Sequence, residues 1–158
     1  MENKTFKKIL EFLEKEDNKK HKYKDTFMWK LKFDEPITED ELNFVGNLNF
    51  FGIPITSLPE DLKVSGYLNL MNSYVEELPD GLKVGGNLTL VGTKIKSLPE
   101  GLEVGGDLNL RGLEIQSLPK GLKVLGVLYI FDTKLEEYSN EELREMIYPG
   151  FIKGEIKK

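Results

Sequence analysis

The sequence contains no cysteine and a single histidine, His21. Without cysteine there is no disulfide, no thiolate nucleophile and no Cys-based metal site, a composition that suits a reducing compartment. No run of eighteen or more apolar residues occurs, so no transmembrane helix is expected. The first residues, Met1-Glu2-Asn3-Lys4, lead into a segment carrying Lys7, Lys8, Glu11 and Glu14. That segment lacks the uninterrupted apolar region and small-residue cleavage site of a signal peptide. A cytoplasmic protein without membrane association is the expectation; secretion without a cleaved signal, or delivery into a host cell, stays open.

Groups for catalysis are equally sparse. A lone histidine in a lysine run, with no cysteine anywhere, offers no nucleophile and base at a telling spacing. The pairs Glu76-Glu77, Glu136-Glu137 and Glu141-Glu142 are adjacent, and adjacent residues on a strand point to opposite faces. Gly85-Gly86 and Gly105-Gly106 lack the lysine and helix start of a phosphate loop and read as turn glycines. No cluster has metal-ligand spacing. The chain is therefore expected to be no enzyme and to hold neither metal nor cofactor.

What the sequence does contain is a repeat. Rows of twenty begin Leu58-Pro59, Leu78-Pro79, Leu98-Pro99 and Leu118-Pro119, and a degenerate row over residues 38–57 keeps Leu42, Phe44, Gly46, Leu48, Phe50 and Ile55 in matching places. Five tandem units imply a solenoid in which each unit buries its apolar edge against its neighbours. The ninth place is Gly46, Gly66, Gly86, Gly106 and Gly126, which points to positive φ or to close backbone approach between coils. The eleventh and thirteenth places, Leu48/Phe50, Leu68/Leu70, Leu88/Leu90, Leu108/Leu110 and Leu128/Ile130, alternate inward. The eighteenth, Ile55, Val75, Ile95, Ile115 and Leu135, adds a further core column. Each Leu-Pro punctuates the chain, because proline has no N–H and a fixed φ.

Three segments follow from this. Residues 1–37 form an N-terminal α/β cap, 38–137 the five repeats, and 138–158 a C-terminal capping helix and tail, within one structural domain. In the first, residues 4–16 place Phe6, Ile9, Leu10 and Leu13 on one helical face. Over 26–33, Phe27, Trp29, Leu31 and Phe33 alternate with Met28, Lys30 and Lys32, the period-two pattern of a half-buried edge strand. Basic residues among aromatics can also grip single-stranded nucleic acid, which makes Lys19, Lys20, Lys22, Lys24, Lys30 and Lys32 candidate basic contacts. Thr38 and Glu41 have capping-box spacing, as do Ser139 and Glu142; Leu143, Met146 and Ile147 follow at helical spacing, and Pro149-Gly150 ends that helix. Residues 151–158 read as a loosely held tail.

The row Leu88-Thr89-Leu90-Val91-Gly92-Thr93-Lys94-Ile95-Lys96-Ser97-Leu98-Pro99, matched again over 108–119, resembles a leucine-rich repeat. The twenty-residue period and the Leu-Pro look most like the short repeats of bacterial secreted effectors. The resemblance implies a mainly β solenoid of parallel stacked short strands, with a protein-binding face. Two departures stand out. The place where the family carries asparagine is Ile53, Ser73, Thr93, Leu113 and Thr133, and the linking half, G-L-x-V-x-G, itself alternates. That half is a loop or a second strand, and the sequence leaves both open.

Function is then expected on the places flanking the inward leucines, which leucine-rich repeats project outward. They supply Phe51, Tyr67, Asn69, Met71, Thr89, Val91, Asn109, Arg111, Tyr129 and Phe131 as candidate partner-binding residues. An apolar and aromatic stripe with one arginine has the composition of an interaction surface. Charge is uneven: residues 1–37 carry ten lysines against eight acids, residues 38–137 eight basic against fifteen acidic residues. An acidic solenoid argues against direct nucleic-acid binding on the repeat face, where phosphate contacts would dominate affinity. Three readings remain open. One is a non-catalytic module binding a protein partner as a small effector or inhibitor. The second is a phage-type, anti-CRISPR-like inhibitor of a nucleic-acid-handling defence complex. The third is a self-associating structural repeat.

Overall fold

The computed structural model describes Phe27, Lys30, Leu31 and residues 35–158. The chain divides into two compact units, Met1–Ile37 and Thr38–Lys158.

In the first unit Phe27, Lys30 and Leu31 are helical, and Phe27 is buried. This overturns the edge strand expected over 26–33. Phe27 and Leu31 lie four residues apart, so a set chosen for alternation also contains an i, i+4 pair that shares one helical face. Period two alone does not separate the two structures over so short a stretch. The helix expected over 4–16, and Lys19, Lys20, Lys22, Lys24 and Lys32, lie outside the described residues.

The second unit is a parallel β-solenoid. It opens with a single helical turn, α1 (Glu39–Leu42), entered where the Thr38 N–H donates to Glu41 Oε2 at 2.8 Å. Each coil then contributes two strands of two residues. They are β1 (Asn43–Phe44) and β2 (Leu48–Asn49), β3 (Lys63–Val64) and β4 (Leu68–Asn69), and β5 (Lys83–Val84) and β6 (Leu88–Thr89). The stack continues with β7 (Glu103–Val104) and β8 (Leu108–Asn109), then β9 (Lys123–Val124) and β10 (Leu128–Tyr129). The odd strands form one six-stranded parallel sheet and the even strands another, completed by β11 (Phe151–Ile152) and β12 (Ile156–Lys157). The linking half of each row, open in the sequence, is therefore a second sheet. The register is twenty throughout the repeats, with Val64 opposite Val84 and Leu68 opposite Leu88.

The last pair corrects the loose tail expected over 151–158. Phe151 pairs with Lys123 and Ile156 with Leu128, a register of 28 (151 minus 123) where the repeats keep 20. The eight extra residues accommodate α2 (Asn140–Met146), whose start is closed by Ser139. Its N–H donates to Glu142 Oε2 at 2.7 Å while its Oγ accepts from the Glu142 N–H at 3.1 Å. The backbone hydrogen bond from Ser139, reinforced by the Ser139 side chain, holds the Glu142 carboxyl below the usual carboxylate range. Leu143 on α2 and Ile147 at its C-cap are fully buried.

The core lies between the sheets. Every eleventh-, thirteenth- and eighteenth-place side chain of the five repeats is buried, with Leu62, Leu82, Leu102 and Leu122 facing them from the other half of the coil. From Gly66 onward the ninth-place glycines act by close approach, whereas Gly46 in the first coil has a φ of 123° and no such neighbour. Gly66 donates to the Gly46 carbonyl at 2.8 Å, Gly86 to Gly66 at 2.8 Å, Gly106 to Gly86 at 3.0 Å, Gly126 to Gly106 at 2.9 Å and Gly154 to Gly126 at 3.1 Å. A Cβ on Gly106 would lie 2.9 Å from the Gly86 carbonyl carbon, inside the van der Waals limit. Left-handed backbone recurs in two other columns. One is Asp61, Gly81, Gly101 and Gly121, the other Gly52, Asn72, Gly92, Gly112 and Asp132. Only Gly, Asn and Asp fill them, the residues that visit this region at least cost.

The sixteenth place shows what the coil tolerates in the core. Thr93 and Thr133 each donate Oγ1–H to the carbonyl three residues back, Leu90 and Ile130, at 2.7 Å. Ser73 in the same column is buried, and its Oγ has no hydrogen-bond partner. A buried hydroxyl left unpaired costs on the order of 1–3 kcal/mol. Ser73→Thr places the hydroxyl on a side chain whose preferred rotamer here already makes that bond, so a gain of about 1 kcal/mol is expected. Thermal unfolding checks this: the midpoint should rise, and a fall would mean the added methyl has no room.

Candidate partner-binding face

The outer face of the even sheet carries all ten candidate residues, and none of them is buried. Their exposure is graded. Phe51 is 55% exposed and Tyr67 40%, and Arg111 is also exposed. Asn69, Met71, Thr89, Val91, Asn109, Tyr129 and Phe131 are half-buried. Strands about 4.8 Å apart make each large outward side chain shield its neighbour in the next coil.

Three columns run along this face. The twelfth places are in register, Asn49 opposite Asn69, Asn69 opposite Thr89, Thr89 opposite Asn109 and Asn109 opposite Tyr129. The asparagines there have a local task. Oδ1 of Asn49, Asn69 and Asn109 accepts the N–H two residues on, from Phe51 at 3.1 Å, Met71 at 3.0 Å and Arg111 at 3.2 Å. This Asx turn ends the strand and leads the chain to its left-handed corner. Asn69 Nδ2 also donates to Asn49 Oδ1 at 3.1 Å, tying two coils together. The Asn69 and Asn109 oxygens, candidates for partner contact, are thus engaged within the fold.

Three of the five tenth-place side chains are likewise occupied with the stack. Asn47 Oδ1 accepts the Tyr67 N–H at 3.0 Å, Asn87 Oδ1 that of Asp107 at 2.8 Å, and Asp107 Oδ1 that of Val127 at 2.8 Å. Each of these is a side-chain staple from one coil to the backbone of the next.

The fourteenth places, Phe51, Met71, Val91, Arg111 and Phe131, hold the apolar content. The Gly52 N–H donates to the Met71 carbonyl and the Gly112 N–H to that of Phe131, both at 2.9 Å, so consecutive members stand one above another. The Arg111 guanidinium lies over the Phe131 ring at 4.8 Å from its centroid, a cation–π contact that orients both. Lys157 Nζ approaches the Tyr129 ring at 5.7 Å, extending the cationic and aromatic pattern into the last coil.

The outer face of the odd sheet is different. Lys63, Lys83, Glu103 and Lys123 stand in register. Glu103 bridges its neighbours, Oε2 at 3.3 Å from Lys83 Nζ and Oε1 at 3.0 Å from Lys123 Nζ. The hydrogen bond from Lys123, reinforced by Lys83, holds the Glu103 carboxyl below the usual carboxylate range. These are solvent-exposed pairs and contribute little to stability. Beside them Leu125 is 50% and Phe151 44% exposed. The sequence reading missed both, although Leu125 stands where Ser65, Gly85 and Gly105 stand in other rows. A departure from small to large apolar at an outward place was the available signal.

A third surface is a polar depression of ≈ 830 Å³ along the corner of the later coils. Lys96, Glu114, Gln116, Lys134 and Glu136 are among its lining residues, and Lys96 Nζ pairs with Glu114 Oε2 there at 2.9 Å. Among the described residues, no group of three or more His, Asp or Glu side chains is placed to hold a metal ion, and no helix is long and apolar enough to cross a membrane.

No family model, curated protein or solved structure matches the chain.

Proposed function

We propose that the protein is a non-catalytic binding module that recognises a protein partner through the outer face of the even sheet, in the manner of a small effector or inhibitor. On this reading the row is a leucine-rich-type repeat whose linking segment has become a second sheet. The fourteenth-place column supports it most. Phe51, Met71, Val91 and Phe131 form a registered apolar row on a strand surface, with the Arg111 guanidinium stacked among them. Aromatics, methionine and arginine are the residues enriched at the centres of protein interfaces, and they are held here by rigid elements. The asparagines play a supporting part. By shaping each corner they set the direction in which the fourteenth side chain leaves the backbone.

A photo-activatable phenylalanine analogue placed at Phe51 or Tyr67, and for comparison at Lys83 on the odd sheet, tests this in the native host. Discrete adducts of one mass are expected from Phe51 and Tyr67, and none from Lys83. Adducts of equal yield from both faces, or from Lys83 alone, would move the binding surface elsewhere. Arg111→Ala should weaken capture by about 1–3 kcal/mol, the range for losing an interface arginine together with the ring it orients.

A further inference from the structure

The two sheets have opposite hydrogen-bond polarity along the stack. In the odd sheet each coil donates back to the coil before it, as Lys83 N–H does to Leu62 O at 3.0 Å and Gly85 N–H to Val64 O at 2.7 Å. In the even sheet each coil donates forward, as Leu88 N–H does to Asp107 O at 2.8 Å and Leu90 N–H to Asn109 O at 3.1 Å. The two ends of the solenoid are therefore complementary. The last coil ends in carbonyls on the odd sheet, Ile152 and Gly154, and in N–H groups on the even sheet, Ile156 and Lys158. The first coil begins with the Val45 N–H on the odd sheet and the Asn47 and Asn49 carbonyls on the even sheet. Among the described residues, no backbone hydrogen bond reaches these first-coil groups. Val45 is 88% exposed, and Asn47 and Asn49 are exposed as well. Repeating the internal register would pair Ile152 O with Val45 N–H, Ile156 N–H with Asn47 O and Lys158 N–H with Asn49 O of a following copy.

One residue stands in the way. Arg144, on α2 within the eight-residue insertion, donates from Nη1 to the Ile152 carbonyl and from Nη2 to the Gly154 carbonyl, the latter at 3.4 Å. In the repeats the carbonyls at those two places accept from the next coil, as Val104 O does from Leu125 N–H at 3.0 Å and Gly106 O from Gly126 N–H at 2.9 Å. The planar guanidinium, with its fixed fork of donors, takes the place that the N–H groups of the next coil hold in the repeats.

We infer that Arg144 is an edge plug, and that the surface it closes is a docking site for the first coil of a second copy of this chain. Unpaired parallel edges invite strand addition, and a solenoid whose ends match in register would add head to tail without closing. The α2 insertion carries both a lid for the core, through Leu143 and Ile147, and the donor fork that satisfies the edge.

Arg144→Ala tests this, with the mass of the intact chain followed by sedimentation velocity over a concentration series and folding followed by circular dichroism. The expected result is a reversible, concentration-dependent rise to at least about two-fold the wild-type mass, as for a heterologous contact that does not close. Adding Val45→Pro, which deletes the donor that would meet Ile152, should restore the wild-type mass. A folded Arg144→Ala chain that keeps the wild-type mass overturns the proposal. So does a rise that Val45→Pro fails to reverse, since the contact would then lie elsewhere. Should Arg144→Ala fail to fold, Arg144→Lys, a point charge lacking the fork, is read by the same two outcomes.

Discussion

Gly106→Val is expected to destabilise the solenoid by about 3 kcal/mol or more, whereas Gly101→Ala, five residues away, should cost only about 1 kcal/mol. The two glycines are required for different reasons. Gly106 sits in the ladder of ninth-place amides, and a side chain there would put a Cβ 2.1 Å from Asn87 Oδ1 and 2.9 Å from both Asn87 N and the Gly86 carbonyl carbon. Backbone cannot yield without breaking the Gly106 to Gly86 hydrogen bond and the Asn87 staple to Asp107. Gly101 has φ of 69° with nothing within 4 Å of an added Cβ, so alanine meets only the backbone strain of the left-handed region. For a unit of this size the valine variant should lose about 10 °C or more in unfolding midpoint and the alanine variant about 4 °C. Equal effects would mean that the coils are not in the close register described.

Removing residues 150–158 should cost more than any loose tail could. The deletion takes away β11 and β12 and strips both sheets from the fifth coil, whose Leu122, Val124, Leu128 and Ile130 are fully buried. It also removes the buried Ile152 and the two carbonyls that hold Arg144. Partial exposure of several such side chains, each worth about 1.5–3 kcal/mol when fully buried, takes the expected loss beyond about 3 kcal/mol. Lower solubility should accompany it, because an open apolar coil is left at the end of the stack. Chemical denaturation of the truncated chain checks this, and a midpoint unchanged from the full chain would return these residues to the role of a tail.

These outcomes mark where the sequence was readable. The inward columns could be read at once, because Leu48 to Ile130 keep their spacing through every row and burial demands little more than alternation. The ninth-place glycines were singled out correctly, with close approach as the cause that holds at Gly66, Gly86, Gly106 and Gly126. The left-handed corners were overlooked, although the interchange of Gly with Asn72, Asp61 and Asp132 writes them into the rows. The sixth coil was missed for a different reason. Phe151-Ile152-Lys153-Gly154-Glu155-Ile156-Lys157 repeats the x-V-x-G-x-L-x of Lys123 to Tyr129, but the insertion carrying α2 shifts it out of period. Near the N-terminus the error lay in physics as much as in pattern, since Phe27 and Leu31 satisfy helix and strand alike.

On the candidate face the outward placement of the residues was legible, and the backbone tasks of the asparagines were not. Whether Asn69 or Asn109 faces a partner or its own backbone depends on the turn that follows the strand, which emerges only once the fifteenth residue is seen to be left-handed. The stripe itself, from Phe51 to Phe131, could be read from composition. Its graded exposure reflects crowding between coils, a property of the stack and not of any row.

One continuous ladder runs from the first coil to the last, and amide hydrogen exchange resolved by residue tests it most directly. The amides of Gly66, Gly86, Gly106, Gly126 and Gly154 should all be strongly protected, with Lys153 alongside them, while Ile156 and Lys158, whose N–H groups point off the open edge of the even sheet, exchange freely. Protection that ends with the fifth coil, leaving Lys153 and Gly154 exchanging like Lys158, would contradict it.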